Sequence, residues 1–357
     1  PIITSPVDFN EILKAMLSHE NIASRSVVYE SYDKQVQGRT VQEPGMSDAG
    51  VMSPFNSDDY PKEIRKTGIA LSTDHNPNHS KIDPYLGGMN AAIEAMRNVA
   101  AVGASPHAIS DCLCFGNPEN PNQMWEFVEA VRGVSDACKG IKLKENPEFP
   151  IPIIAGNVSF YNESKSGSIP PSPIISCLGK LVNVEKAITM SFKTSNSNVF
   201  MIGSRKDELG GSLYYSLHDE IGANVPTPKL DEVKNQINAI TDCIDNNLLQ
   251  SCHDISDGGI AVALSEMTFE NNIGCNVTVP GDLTSEKLFF SETGGFLVEV
   301  NDSEMEHFKN IFKKHNVQFY QIGKTSEIND IIINDKIHLN IEEAKDLWLN
   351  GLREKIK

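Results

Sequence analysis

The sequence is poor in positive charge: 31 Lys and Arg stand against 48 Asp and Glu, a formal net charge of −17. A nucleic-acid partner needs a basic surface, so this balance argues against one. A small phosphate ligand is not excluded, because a few backbone N–H groups and a divalent cation can hold it locally. Cysteine is present but unorganised: seven residues, an odd number, with no C-x-x-C pair. That speaks against a disulfide framework or a zinc site, and for a reducing compartment, the cytoplasm. No apolar run approaches membrane-span length, and no signal-peptide pattern opens the chain. It begins at Pro1 without Met, which reads as a processed or truncated chain. Neither a Gly-x-x-x-x-Gly-Lys-Ser/Thr phosphate loop nor a Gly-x-Gly-x-x-Gly turn between strand and helix occurs. His75, His79, His107 and His253 lie in or near turns without metal-ligand spacing.

What is there is globular. The chain has 357 residues, 39% of them hydrophobic and 22% charged, enough for two domains of ordinary size. Phe9, Ile12, Leu13, Met16 and Leu17 fall at helical spacing, as do Leu230, Val233, Ile237, Ile240 and Ile244. Strands are expected at Gly68 to Ser72, Ile151 to Ile154, Pro173 to Leu181, Val199 to Gly203, Leu249 to His253, Phe296 to Val300 and Phe319 to Gly323. Between the two halves, Ser191 to Asn198 is polar and aperiodic, so a boundary is expected near 185 to 197. Strands alternating with helices on both sides of it imply an α/β or α+β fold.

Two stretches attract chemistry. In the first, Arg97 to Pro118, a helix end, a turn at Gly103 and a strand lead to Asp111 at the strand's end. In the second, the run Ile151 to Ile154 gives way to Gly156, Asn157 and Ser159. Asp111 is a candidate ligand for a nucleotide or its metal, or a simple turn or cap residue. Gly156 permits close backbone approach, and Asn157 and Ser159 add neutral oxygens. An all-oxygen set suits a hard cation such as Mg²⁺, which keeps water and substrate phosphates in its shell. Gly87 and Gly88, after Asp83-Pro84, read either as a helix start open to an anion or as a turn. Asp254 and Asp257 precede Gly258-Gly259 at a strand-to-helix junction, where they read as helix caps or as a second acidic site. Ser291-Glu292-Thr293-Gly294-Gly295 reads as a loop before a strand.

Taken together, Tyr32 to Val36, Asp83 to Gly88, Arg97 to Ala104, Ser110 to Pro118, Ala155 to Glu163 and His253 to Ala263 resemble the phosphoribosylformylglycinamidine synthase family. That family is the synthetase subunit of a purine-biosynthesis amidotransferase, in the aminoimidazole ribonucleotide synthetase superfamily. The resemblance covers nearly the whole chain but only the second half of the family's tandem A–B–A–B subunit. It implies an N-terminal helical segment at 1–20, an A-type half-barrel domain at 21–185, a B-type mixed-sheet domain at 186–340, and a closing helix at 341–357. It also implies an ATP- and Mg²⁺-dependent ligase that converts formylglycinamide ribonucleotide and ammonia to the amidine. The first half, a glutaminase and a small accessory subunit would be its partners.

The resemblance places Asp111 and Gly156 at nucleotide positions, Asn157 at a magnesium position and Ser159 at a substrate position. The family's catalytic histidine falls in the absent half, and Asp254 and Glu292 fall in a degenerate second site. Asp74 to His79 and a long Lys139 to Phe149 loop depart from the family pattern. A self-sufficient homodimeric enzyme of the superfamily and a structural nucleotide-holding module are the alternatives. In isolation, the half should dimerise through the A-type domain.

Overall fold

A computed structural model describes residues 1, 3 and 8–356. Residues 2, 4–7 and 357, inside the segments expected at 1–20 and 341–357, lie outside that description. Helices α1 (Phe9–Leu17) and α2 (Ser26–Tyr29) come first. A first unit follows: β1 (Thr40–Gln42), β2 (Gly50–Met52), β3 (Gly68–Asp74), α3 (Pro77–Ile82), α4 (Pro84–Ala101), β4 (Ser105–Cys114), α5 (Pro121–Ile141), β5 (Ile153–Ser159), the short pair β6 (Glu163–Ser164) and β7 (Gly167–Ser168), and β8 (Ser172–Leu181). The second unit holds β9 (Asn198–Ile202), α6 (Leu213–Ser216), α7 (Leu230–Asp245), β10 (Ser251–Ile255), α8 (Gly259–Thr268), β11 (Gly274–Val277), α9 (Ser285–Phe290), β12 (Gly295–Val300), α10 (Met305–Lys314), β13 (Phe319–Ser326), β14 (Asp330–Ile333), β15 (Ile337–Asn340) and α11 (Ile341–Ile356).

The first unit builds a six-stranded sheet in the order β1-β2-β3-β8-β4-β5, mostly antiparallel but with β4 and β5 parallel. The second builds a seven-stranded mixed sheet, β10-β12-β9-β13-β11-β14-β15. This is the mixed α/β architecture expected. Strand alternation sorts the second sheet's residues between two cores. Phe200, Ile202, Phe296 and Val298 face α4, α7 and α10, while Val199, Met201 and Leu297 join α1, α8 and α11. Helix α1 therefore packs with the second unit, against α8, α11 and β15, although it opens the chain.

Helix α4 is the central element. It touches β3, β4 and β8 of the first sheet, β10 of the second, and α3, α5 and α7. Its sequence allows this because nearly every position is small or apolar: Ala91, Ala92, Ala95, Ala100 and Ala101 are all buried. Asp83 caps it by accepting from the Leu86 N–H, and Pro84 takes its first position. Gly87 and Gly88 therefore lie inside the helix, neither in a turn nor at an open anion-binding start. They are glycines because neighbours press on them: a Cβ on Gly88 would lie 3.0 Å from the carbonyl carbon of Ala130 on α5. Gly133 on α5 answers in kind, since a Cβ there would lie 2.9 Å from the Met89 amide nitrogen. Gly133→Ala forces the two helices apart and should cost about 1 to 3 kcal/mol. Urea unfolding checks this, with the midpoint falling and the slope unchanged.

The outer face of the first sheet has no cover among the described residues. Leu71 is 54% exposed, and the edge strand β5 leaves Ile154 66% and Val158 51% exposed.

Candidate functional site

Two sites emerge, one at the open edge of the first sheet and one buried between the sheets. At the edge, parallel pairing sets Asp111 opposite Gly156, Cys112 opposite Asn157 and Cys114 opposite Ser159. Asp111 lies inside β4, three residues before its end, rather than at the terminus expected. The glycine is required: a Cβ on Gly156 would sit 2.7 Å from Asp111 Cγ. Partial burial pushes the Asp111 carboxyl above its ordinary range. Ser159 is held by Asn162, whose Nδ2 lies 3.2 Å from Ser159 Oγ and also donates to the carbonyls of Phe115 and Ser159.

Register also separates the four residues. Directly paired residues share a sheet face and neighbours along a strand alternate, so Asp111 and Gly156 face one side while Asn157 and Ser159 face the other. A single cation cannot take Asp111 and Asn157 together. A ligand touching all four must wrap round the free edge of β5, and the remaining contacts must come from outside these strands.

The buried site was only partly visible in the sequence. Asp74 ends β3; Glu94 and Arg97 lie on α4; Asp254 lies in β10 and Asp257 in the turn after it. That turn needs Gly258 and Gly259, both left-handed (φ +76° and +69°). Helix α8 receives no side-chain cap, so neither Asp254 nor Asp257 serves as one. Arg97 Nη2 stands 3.6 Å from Glu94 and 3.7 Å from Asp254. Asn98 donates to Asp74 (3.3 Å) and Asn76 to Asp257 (3.0 Å). Glu292 Oε1 accepts from the N–H groups of Leu213 and Gly258, while its Oε2 lies 3.4 Å from His79 Nε2.

Burial, reinforced by neighbouring carboxylates, pushes Asp74 up to about 8. The same combination takes Asp254 and Asp257 each to about 7, and Glu94 upward as well. Burial, with His79 nearby, lowers His75 to about 4, so it is neutral at physiological pH.

The chemistry of the cluster, though not a measured convergence of its oxygens, is of the kind a divalent cation takes. Asp254 Oδ2 and Glu292 Oε2 are buried acceptors with no hydrogen-bond partner among the described residues. The donor set is oxygen, which a hard ion prefers. Among the described residues, Asp48, His253 and Asp254 are the group whose ligand atoms lie close enough to share an ion. His253, however, spends Nδ1 on Asp48 (2.6 Å) and Nε2 on Glu266 (3.0 Å), so it acts as a strut between units. Glu94 is not among the residues the sequence singles out, and Arg97 stands there only as the start of a motif. Their signal was the only two charges in a helix that is mostly small and apolar.

Two units of this kind, each with its own sheet, define a class that comparison makes explicit. Residues 46–181 match AIR synthase related protein, N-terminal domain, and 196–336 match its C-terminal domain. The chain belongs to the AIR synthase related family.

Among curated relatives, it is 43% identical over 363 residues to phosphoribosylformylglycinamidine synthase subunit PurL of Methanothrix thermoacetophila, covering 100% of this chain and 46% of the relative. It is 37% identical to the PurL subunit of Methanocaldococcus jannaschii, covering 96% and 46%. The chain thus spans about half the length of the relatives it matches. The fold is similar to T. maritima PurL complexed with FGAR, with a TM-score of 0.72 at 17% identity, covering 96% of this chain and 54% of that one. The same protein complexed with ADP gives 0.69 at 17% identity, covering 96% and 52%. No helix among the described residues is long and apolar enough to cross a membrane.

Proposed function

We propose that this chain is the second half of a phosphoribosylformylglycinamidine synthase subunit, acting in the cytoplasm. The observation that carries the reading is 43% identity along its whole length to a PurL subunit about twice as long. In this reading Asp111 and Gly156 contact ATP, Asn157 a Mg²⁺ ion and Ser159 the substrate. The geometry of β5 supports it, because a ligand reaching round a free edge needs a second wall, and the absent first half would supply one. ATP would furnish the phosphoryl group that activates the amide oxygen for replacement by ammonia. This chain would position and shield the nucleotide while proton handling lies elsewhere. A glutaminase and a small accessory subunit would complete the assembly.

The test is turnover. Chain alone, given ATP, Mg²⁺, ammonium and formylglycinamide ribonucleotide, should form no amidine, and adding the first half should restore it. Product from the chain alone would overturn the reading in favour of a self-sufficient enzyme. Alone, the chain should scatter light as a dimer through residues 21–185, since Leu71, Ile154 and Val158 present apolar surface there.

The acidic cluster supports a second role: an internal cation site, with or without a nucleotide, that holds the two units together. Its carboxylates come from β3 and α4 on one side and β10 on the other.

A further inference from the structure

Arg97 serves a second environment besides the carboxylates. It also reaches the wall of a cavity of about 460 Å³ beside the start of α7. Lys206, Lys229, Thr227 and Thr293 line the same space. Arg97 is 4% exposed, and its Nε has no hydrogen-bond partner among the described residues.

A second buried guanidinium lies close behind. Arg205 spends Nη1 on the Ser291 carbonyl (3.3 Å), but its Nε and Nη2 are unpartnered. The two flank the Gly294-Gly295 backbone: a Cβ on Gly294 would lie 2.8 Å from Arg97 Nη2, and one on Gly295 would lie 3.2 Å from Arg205 Nη2. Two like charges buried together with unmet donors are costly unless an anion compensates.

Helix α7 adds to the field. Its sixteen residues begin on the cavity wall, where Lys229, Glu232 and Val233 stand, and no side chain caps it. Its first-turn N–H groups and positive dipole end therefore lie beside the cavity. The acids present are already engaged. Glu208 accepts from the Thr227 N–H (3.0 Å) and the Thr293 hydroxyl (2.7 Å), and Glu232 pairs with Lys229 (2.9 Å). The lining itself holds three cations, Arg97, Lys206 and Lys229, and two carboxylates, with Glu208 also 3.8 Å from Lys206; Glu94 and Asp254 meet Arg97 from behind, and burial keeps both largely protonated up to neutral pH.

We propose that this cavity binds the phosphate of a small hydroxylated phosphomonoester. Guanidinium, ammonium, hydroxyl and helix amides together suit a tetrahedral dianion. The volume exceeds what the phosphate alone needs, and the side-chain amides of Gln236 and Gln318 on the wall offer partners for hydroxyl groups. The site needs no divalent cation, which separates it from the acidic cluster. It also does not depend on the reaction proposed above, because Asp111, Gly156, Asn157 and Ser159 are not among its lining.

Calorimetry on the full chain in EDTA, with inorganic phosphate and then glycerol 3-phosphate, tests it. Both probes should bind, and glycerol 3-phosphate should bind more tightly. A Lys206→Met, Lys229→Met double variant should lose about tenfold in affinity or more, equivalent to about 1.4 kcal/mol. Thr227→Glu, which adds a carboxylate to the wall, should abolish binding with a melting temperature close to that of the parent. Absence of binding, binding only when Mg²⁺ is added, equal affinity for the two probes, or undiminished binding by both variants would each overturn the proposal.

Discussion

Magnesium added at pH 8.5 should raise the melting temperature of this chain by roughly 5 °C, while the same addition at pH 5.5 should change it little. The argument runs through Asp74, Glu94, Asp254 and Asp257. Burial and mutual repulsion lift Asp74 from 3.8 to about 8 in the folded chain, and Asp254 and Asp257 from 3.8 to about 7. An unfolded chain releases those protons near 4, so between about pH 4 and 8 it holds fewer protons than the folded one. Stability contributed by the neutral carboxyls is therefore complete in acid and is lost as pH rises through the folded values. A dication reverses the loss by binding the ionised form, and it releases protons as it does so. Asp257→Asn should raise the metal-free melting temperature at pH 8.5 and blunt the magnesium effect. Differential scanning calorimetry at the two pH values decides the matter. A metal-free melting temperature that stays level across this range, or equal magnesium shifts at both pH values, would count against a cation site.

Gly156→Ala should reduce kcat/KM for ATP about 100-fold in the reassembled two-half enzyme, while the isolated chain melts close to the parent. The added methyl has nowhere to go but into the Asp111 carboxylate, whose Cγ would be 2.7 Å away. Stability is spared because β5 is an exposed edge strand with a neighbour on one side only. Asp111→Asn, which keeps the shape and removes the charge, should lower ATP affinity without the steric effect. Steady-state kinetics on both variants distinguishes displacement from loss of charge. Full activity in both would remove the β5 edge from the nucleotide site.

These expectations rest unevenly on the sequence. Helix α7 was legible because Leu230, Val233, Ile237, Ile240 and Ile244 repeat at its period over four turns. Strands β1, β2 and β15 were not, because three or four residues carry too little alternation. The start of α4 was signalled by Asp83-Pro84, and the two glycines beyond drew attention away from it. Close packing against α3 and α5, a tertiary demand, explains those glycines. The Asp111 group was legible as residues but not as geometry. Which face each one takes depends on the pairing of β4 with β5, strands separated by the whole of α5. The acidic cluster was hardest, because its members come from β3, α4 and β10 and form no local pattern.

Helix α4 carries one more consequence. Because both sheets close onto the same eighteen residues, neither unit owns a complete interior without it. The pieces that sequence families mark as separable modules should therefore unfold together in this chain. Any rearrangement of a gene that parts them must duplicate or replace that shared rod.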